Sequence, residues 1–362
     1  MIATLMQNKL FTTAEAINLA IKDTMKKNKN TILFGEGIDD PSSMFGTTNG
    51  IKKLFPKNRV FEMPLSENLF IGAAIGASYF GDRVIVNLQR VEFLLLAMEQ
   101  LINNAAKSSY ISYGRLNVPI VIRAVVGRGW GQGPEHSQSL ESLFSMVPGL
   151  KVAMICFPDD AYHITKEAIL DNNPCIIIES RWCHYNLGKI NFKKNQSLKS
   201  FNKLSNGRDL TIVSSSYTTS ECSVIAKFLT KYNIHIDLLD LKLLSPLDLT
   251  MIKSSLRKTK KLIVIETGHK FLGMGSEIIS SLVENNFTFE KPPIRLGLPF
   301  SPTPSSRAFI DEVYITPSKI LKNILNLLNI EKKIRLKILD DFKINFENKM
   351  KDIPNNNFKG PF

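Results

Sequence analysis

The sequence is poor in the residues that build covalent or metal-held scaffolds. Its 362 residues include four cysteines, at 156, 175, 183 and 222, and only five histidines. No two cysteines are spaced C-x-x-C, which excludes a zinc knuckle and a disulfide frame. Such thiols are expected to stay reduced, in a bacterial cytoplasm or another reducing compartment. No apolar run approaches the roughly 20 residues of a membrane-spanning helix, so no membrane association is expected. Met1–Lys9 places no basic segment ahead of a long apolar one, so no secretory signal is expected either. The phosphate-cradling loop with its Gly-Lys-Ser/Thr ending is missing as well. What is present is an ordinary globular balance, 44% hydrophobic and 22% charged, which suffices for about two domains of roughly 150 residues. The net charge of +13 is diffuse, gathering in 189–208, in Arg257–Lys261 and in the tail. No aromatic-rich or zinc-finger signature accompanies it. Nucleic acid is therefore not expected as a partner, and an acidic protein surface is.

Along the first half, apolar runs without alternation are spaced by helical patterns. Strands are expected at Thr31–Phe34, Val84–Leu88, Pro119–Ile122, Val152–Cys156 and Cys175–Ile178. Helices are expected near Ala14–Lys26, Asn68–Tyr79, Phe93–Ser108 and Asp159–Leu170. Continuous apolar strands separated by helices predict a parallel sheet covered on both faces. Residues 187–208 lose this periodicity and turn rich in Lys, Asn and Ser, which reads as a linker between domains at 8–186 and 209–330. The second domain alternates strands (Leu210–Val213, Ile234–Leu239, Leu262–Ile265) with helices near Thr219–Thr230, Leu247–Ser255 and Gly275–Glu284. A charged, helical extension occupies 331–362. The fold class is α/β, two domains, each a largely parallel sheet flanked by helices.

Four segments could carry chemistry. Glu67 follows Pro64-Leu65-Ser66 at the start of a helix rich in small residues. It reads either as a first-turn acid behind an Ser66 cap or as a carboxyl among apolar neighbours, whose pKa burial would raise. His136 lies on the run Gly127–Ser139. The dinucleotide fingerprint fails there, because Gln132 and Pro134 fall where its third glycine should be. The run reads as a loop that delivers His136 to a cleft or leaves it in water, with Ser137 capping the next helix. Gln89 and Phe93 leave a buried strand at its carboxyl end, where open α/β sheets bind ligands; a cap and ordinary packing are the plainer alternatives. Finally, Ala168, Ile169, Asp171 and Asn173 end a helix in a turn that offers oxygen ligands to a hard cation or is simply Asn-rich.

Several strings point further: Gly35-Glu36-Gly37, Phe45-Gly46-Thr47-Thr48, Pro64-Leu65-Ser66-Glu67, Gln100–Lys107, His136-Ser137-Gln138-Ser139, Pro148–Val152, Leu244–Asp248 and Pro302-Thr303-Pro304. In co-linear order over about residues 10–328, they resemble the β subunit of thiamine-diphosphate-dependent 2-oxo acid dehydrogenase E1 components. The resemblance implies a transketolase-like pyrimidine-binding domain followed by a transketolase C-terminal domain. It implies that Glu67 binds the aminopyrimidine N1′ of thiamine diphosphate, that Phe93 stacks on that ring, that Gln89 is a neighbouring amide, and that His136 stands near the reactive carbon. More weakly, it implies a potassium (K+) site from Ile120, Ala168, Ile169, Asp171 and Asn173. The G-D-G…N-N motif that holds the diphosphate and Mg2+ in such enzymes is not matched; Gly81-Asp82-Arg83 is the nearest string. An E1 α subunit is therefore expected in trans, in an α2β2 heterotetramer, with a lipoyl-bearing E2 acyltransferase as a further partner. Arg90, Glu92 and Trp130 depart from the family's usual residues. A carboligase or transketolase-like transferase, or a non-catalytic subunit, is the alternative on this scaffold.

Overall fold

The apolar runs form two main sheets in the computed structural model, which describes residues 9–128, 132–193, 198–346, 353 and 358. Trp130 and most of the tail beyond 346 lie outside the described residues. Chain order gives β1 (Phe11–Thr12), β2 (Thr31–Gly35), β3 (Val60–Glu62), β4 (Arg83–Leu88), β5 (Ile120–Val126), β6 (Lys151–Ile155) and β7 (Cys175–Ser180). These are followed by β8 (Leu187–Gly188), β9 (Phe201–Ser205), β10 (Leu210–Ser214), β11 (Ile236–Leu241), β12 (Leu243–Ser245), β13 (Leu262–His269) and β14 (Ile294–Leu298). The first sheet has seven strands in the order β12-β6-β7-β5-β4-β2-β3, and the second has five in the order β14-β13-β10-β11-β9. Pairing is parallel throughout except at β12 and β9. Strands this apolar need cover on both faces, and helices supply it.

The helix Thr13–Lys27 shows how local sequence sets an element. Thr12 and Glu15 form a reciprocal capping box, with the Glu15 amide donating to Thr12 Oγ1 at 3.1 Å. Ala16, Ile17, Ala20 and Ile21 make its buried stripe, which packs on the helix Pro158–Leu170. Two expectations fail. The helix expected at Phe93–Ser108 breaks into a 3-10 segment (Val91–Ala97), a π-helical segment (Gln100–Ala105) and a short helix (Ser108–Ile111). Residues 187–208 are not merely a linker, because Phe201–Ser205 pairs antiparallel with β11 and closes the second sheet. The two domains also pack together: β12, from the second domain's sequence, pairs with β6, and one apolar cluster joins Val86 and Ile122 of the first sheet to Val213 and Leu262 of the second.

One polar row crosses the first sheet. Gly35 is opposite Glu62 on β3 and Asn87 on β4, and Asn87 is opposite Arg123 on β5. Arg123 has no exposed surface. It donates from Nε and Nη2 to the two Glu179 oxygens at 2.7 and 2.9 Å, and from Nη1 to Asn87 Oδ1 at 2.9 Å. Its counter-charge holds the Glu179 carboxyl below the usual range against the opposing effect of burial. Replacing Arg123 by Met would strand a buried carboxylate, so Arg123→Met should lose about 3–5 kcal/mol of stability, measured by urea unfolding.

Candidate active site

In a parallel sheet every strand ends on the same side, so the loops after β2, β3, β4 and β5 converge at one crevice. Glu36 comes from the first, Glu67 from the second, Gln89 to Phe93 from the third and His136 from the fourth. Gly35 has φ of +131°, and a Cβ there would lie 2.2 Å from the Asn87 carbonyl oxygen. Only glycine lets the chain turn so close beside β4. The turn then holds Glu36, whose amide donates to that carbonyl at 2.9 Å. Glu62 secures it from the other side, accepting from the Gly37 and Asp39 amides at 2.9 and 2.8 Å.

Glu67 opens the helix Glu67–Tyr79 and is buried. Ser66 makes no side-chain capping bond to this helix, contrary to the expectation from sequence. Instead the Glu67 carboxyl meets Glu36. Burial first, and then the charge and hydrogen bond of Glu67 and the charge of Glu62, push Glu36 up to about 7, while the Gln89 amide pulls the other way. Glu36 Oε1 is buried with no hydrogen-bond partner. The carboxyl raised toward neutrality is thus Glu36, with Glu67 beside it. The Gln89 side chain lies against Gly37 and donates to Asp40 Oδ2 at 3.3 Å.

Phe93 and His136 meet edge to face, their ring centroids 5.8 Å apart. His136 Nδ1 is buried without a partner. Glu92, also buried, accepts from the Gln138 amide through Oε1 at 2.6 Å and thereby holds the turn that bears His136. Burial raises the Glu92 carboxyl, while the Gln138 amide, Arg90 and His136 favour its charged form. Ser137 caps no helix; the next one starts at Glu141 with Leu140 before it. Arg90 and Arg181 both lie over the Phe45 ring, at 5.7 and 4.6 Å from its centroid. Sequence reasoning gave no role to Glu36 or Glu92. The signal for Glu36 was an acid between two glycines directly after a strand.

The potassium loop looks different. Arg83 donates to the carbonyls of Ile169 and Asp171 at 3.2 and 2.8 Å, and Lys151 pairs with the Asp171 carboxylate. Asn173 gives its amide and side-chain nitrogen to Asp171 Oδ1 at 2.8 and 2.9 Å. Ile120 is fully buried in β5, and Ala168 lies in the last turn of the helix Pro158–Leu170. Arg83 and Lys151 thus already engage oxygens of Ile169 and Asp171, two of the residues to which the resemblance assigns potassium. Among the described residues no cluster of His, Cys, Asp or Glu is suited to a metal, and no helix is long and apolar enough to cross a membrane.

Two carboxyls, an aromatic face and a histidine thus stand at the strand ends of a parallel sheet, with a second α/β domain behind, as the resemblance to a transketolase-like protein implied. The comparisons agree. Residues 9–183 match the model of the transketolase pyrimidine-binding domain and residues 200–320 that of the transketolase C-terminal domain. The chain is 34% identical to the pyruvate dehydrogenase E1 component subunit beta of Gracilaria tenuistipitata var. liui, over 87% of this chain and 98% of that protein. It is 32% identical to the acetoin:2,6-dichlorophenolindophenol oxidoreductase subunit beta of Bacillus subtilis (strain 168), over 87% and 96%. A solved structure described as a split gene transketolase, an inactive beta4 tetramer, shares the fold with a TM-score of 0.71 at 20% identity, covering 89% of this chain and 99% of that one. The chain belongs to the E1 β-subunit family of 2-oxo acid dehydrogenases, a family that depends on thiamine diphosphate.

The carboxyl pair has a measurable consequence. Because Glu36 is raised from 4.5 to about 7, the folded chain binds this proton more tightly than the unfolded one. The stabilisation is complete below about pH 4.5 and is lost as pH rises through about 7. Glu36→Gln should therefore lose less thermal stability than the parent chain between about pH 4.5 and pH 8; equal losses in paired melts would count against a raised Glu36.

Proposed function

We propose that this chain is the β subunit of an oxidative 2-oxo acid decarboxylase, supplying the aminopyrimidine half of its active site. The observation that carries the reading is the Glu36–Glu67 pair, set beside Gln89 with Phe93 and His136 on the adjoining loops. Thiamine diphosphate, when bound, supplies the electron sink for decarboxylation. The residues suit one end of it. Glu67, with Glu36 beside it, is placed to meet the aminopyrimidine N1′, and of the two it is Glu36 whose surroundings favour the protonated form. Phe93 offers a face for the ring, Gln89 an adjacent amide, and His136 a proton donor or charge stabiliser near the reacting carbonyl. The diphosphate and Mg2+ fall to an E1 α subunit in an α2β2 heterotetramer, and a lipoyl group on an E2 acyltransferase takes the acyl product. The four buried, free cysteines suit a reducing compartment such as a bacterial cytoplasm.

The test is Glu67→Gln in the complex with the co-purified partner chain, assayed with pyruvate and branched 2-oxo acids and an artificial electron acceptor. Turnover should fall by about 10²–10⁴-fold. Undiminished turnover would make the chain a non-catalytic subunit. Decarboxylation without acceptor reduction would point to a carboligase.

A further inference from the structure

The segment that carries His136 is held by the second domain as well as by its own. Where it begins, the buried Arg128 guanidinium lies over Trp182, Tyr314 and Tyr217, at 4.1, 4.4 and 4.8 Å from the ring centroids, and 3.9 Å from Glu221. Tyr217, Glu221 and Tyr314 all belong to the second domain. Three residues before His136, the Gly133 carbonyl accepts from Thr303 Oγ1 at 3.2 Å. Gly133 has φ of +67°, and a Cβ there would fall 2.3 Å from Ser305 Oγ, so the two loops touch backbone to side chain. Beyond His136, Glu141 Oε1 accepts from Thr267 Oγ1 at 2.7 Å, with both residues buried.

We propose that the second domain is the positioning element for His136, and that Thr303 and Thr267 are positioning residues for the reaction. Glycine-rich backbone has the most conformational freedom to lose, so a side chain carried on it is imprecise unless the loop is tethered. Reacting groups must be placed to about 0.5 Å, and a shift of about 1 Å costs up to 10²-fold in rate. Among the described residues, the first domain gives this segment the Glu92–Gln138 bond, the Phe93 edge and the Trp182 ring against Arg128. The remaining tethers reach across the domain boundary at both ends of the segment. Neither threonine needs to touch substrate or cofactor for this.

The inference rests on His136 acting in the site, and the experiment separates the two. In the complex with its partner chain, Thr303→Val should lower kcat by about 10–100-fold and leave KM for the oxo acid within about twofold. Thr303→Ser, which keeps the hydroxyl, should restore kcat, and Thr267→Val should act in the same direction, which covers the case of a Thr303→Val chain that does not fold. His136→Asn alone should lower kcat, and adding Thr303→Val to it should cost nothing further, because the tether acts only through the histidine. An unchanged kcat in Thr303→Val, or the same loss in the His136→Asn background, would overturn the positioning role. If His136→Asn left turnover intact, both readings would fall.

Discussion

Arg123 carries its charge in the middle of a sheet where water does not reach, and its guanidinium ties β5 to Asn87 on β4 and Glu179 on β7. A buried ion pair is costly unless its geometry is good and its remaining groups are satisfied. Here both Glu179 oxygens are used by Arg123, and His184 adds a contact at 3.0 Å. Asn87, gripped by Arg123, also presents the carbonyl on which the Glu36 amide rests. A one-residue slip of β4 would turn Asn87 to the other face and leave Arg123 without its third bond. The register of the strands and the place of Glu36 are thus one constraint, on which the crevice depends.

From that constraint the chemistry follows by crowding. A carboxyl held beside another away from water keeps a proton that it would release alone, as Glu36 does here. The pattern recurs at the domain boundary, where burial and the neighbouring Glu141 raise Glu266 to about 8, with Gly273 and Gly275 packed around its carboxyl. Glu141 follows the His136 turn directly and bonds Thr267. Glu92 on one side and Glu141 with Thr267 on the other therefore hold the His136 segment, and the second domain is part of the architecture of the site.

Much of this was legible in the chain. The apolar runs at β2, β4, β5 and β7 show no alternation and are broken only by single polar residues such as Asn87 and Arg123, so the parallel sheet was legible from hydrophobicity. Glu67, Phe93 and His136 each stood out by local context, one at a helix start, one after a buried strand and one on a glycine-rich run. The breaks between residues 91 and 111 were not legible, because its composition suits a continuous helix and packing against the helix Glu67–Tyr79 overrides it. Phe201–Ser205 was hidden by its polar residues, which an edge strand tolerates.

By itself the sequence determined which residues are apolar enough to be strands, which glycines permit tight turns and which polar side chains lie beside them, since these depend on neighbours along the chain. The tertiary structure alone decided that Glu36 would face Glu67, that Glu92 would hold the turn of His136, and that Arg83 and Lys151 would occupy oxygens that read as cation ligands. These pairs are separated by 31, 46 and 86 residues in the clearest cases (Glu36–Glu67, Glu92–Gln138 and Arg83–Ile169). Such contacts exist only once parallel strands are in register, because a carboxyl's partner and its access to water are set by the folded neighbourhood.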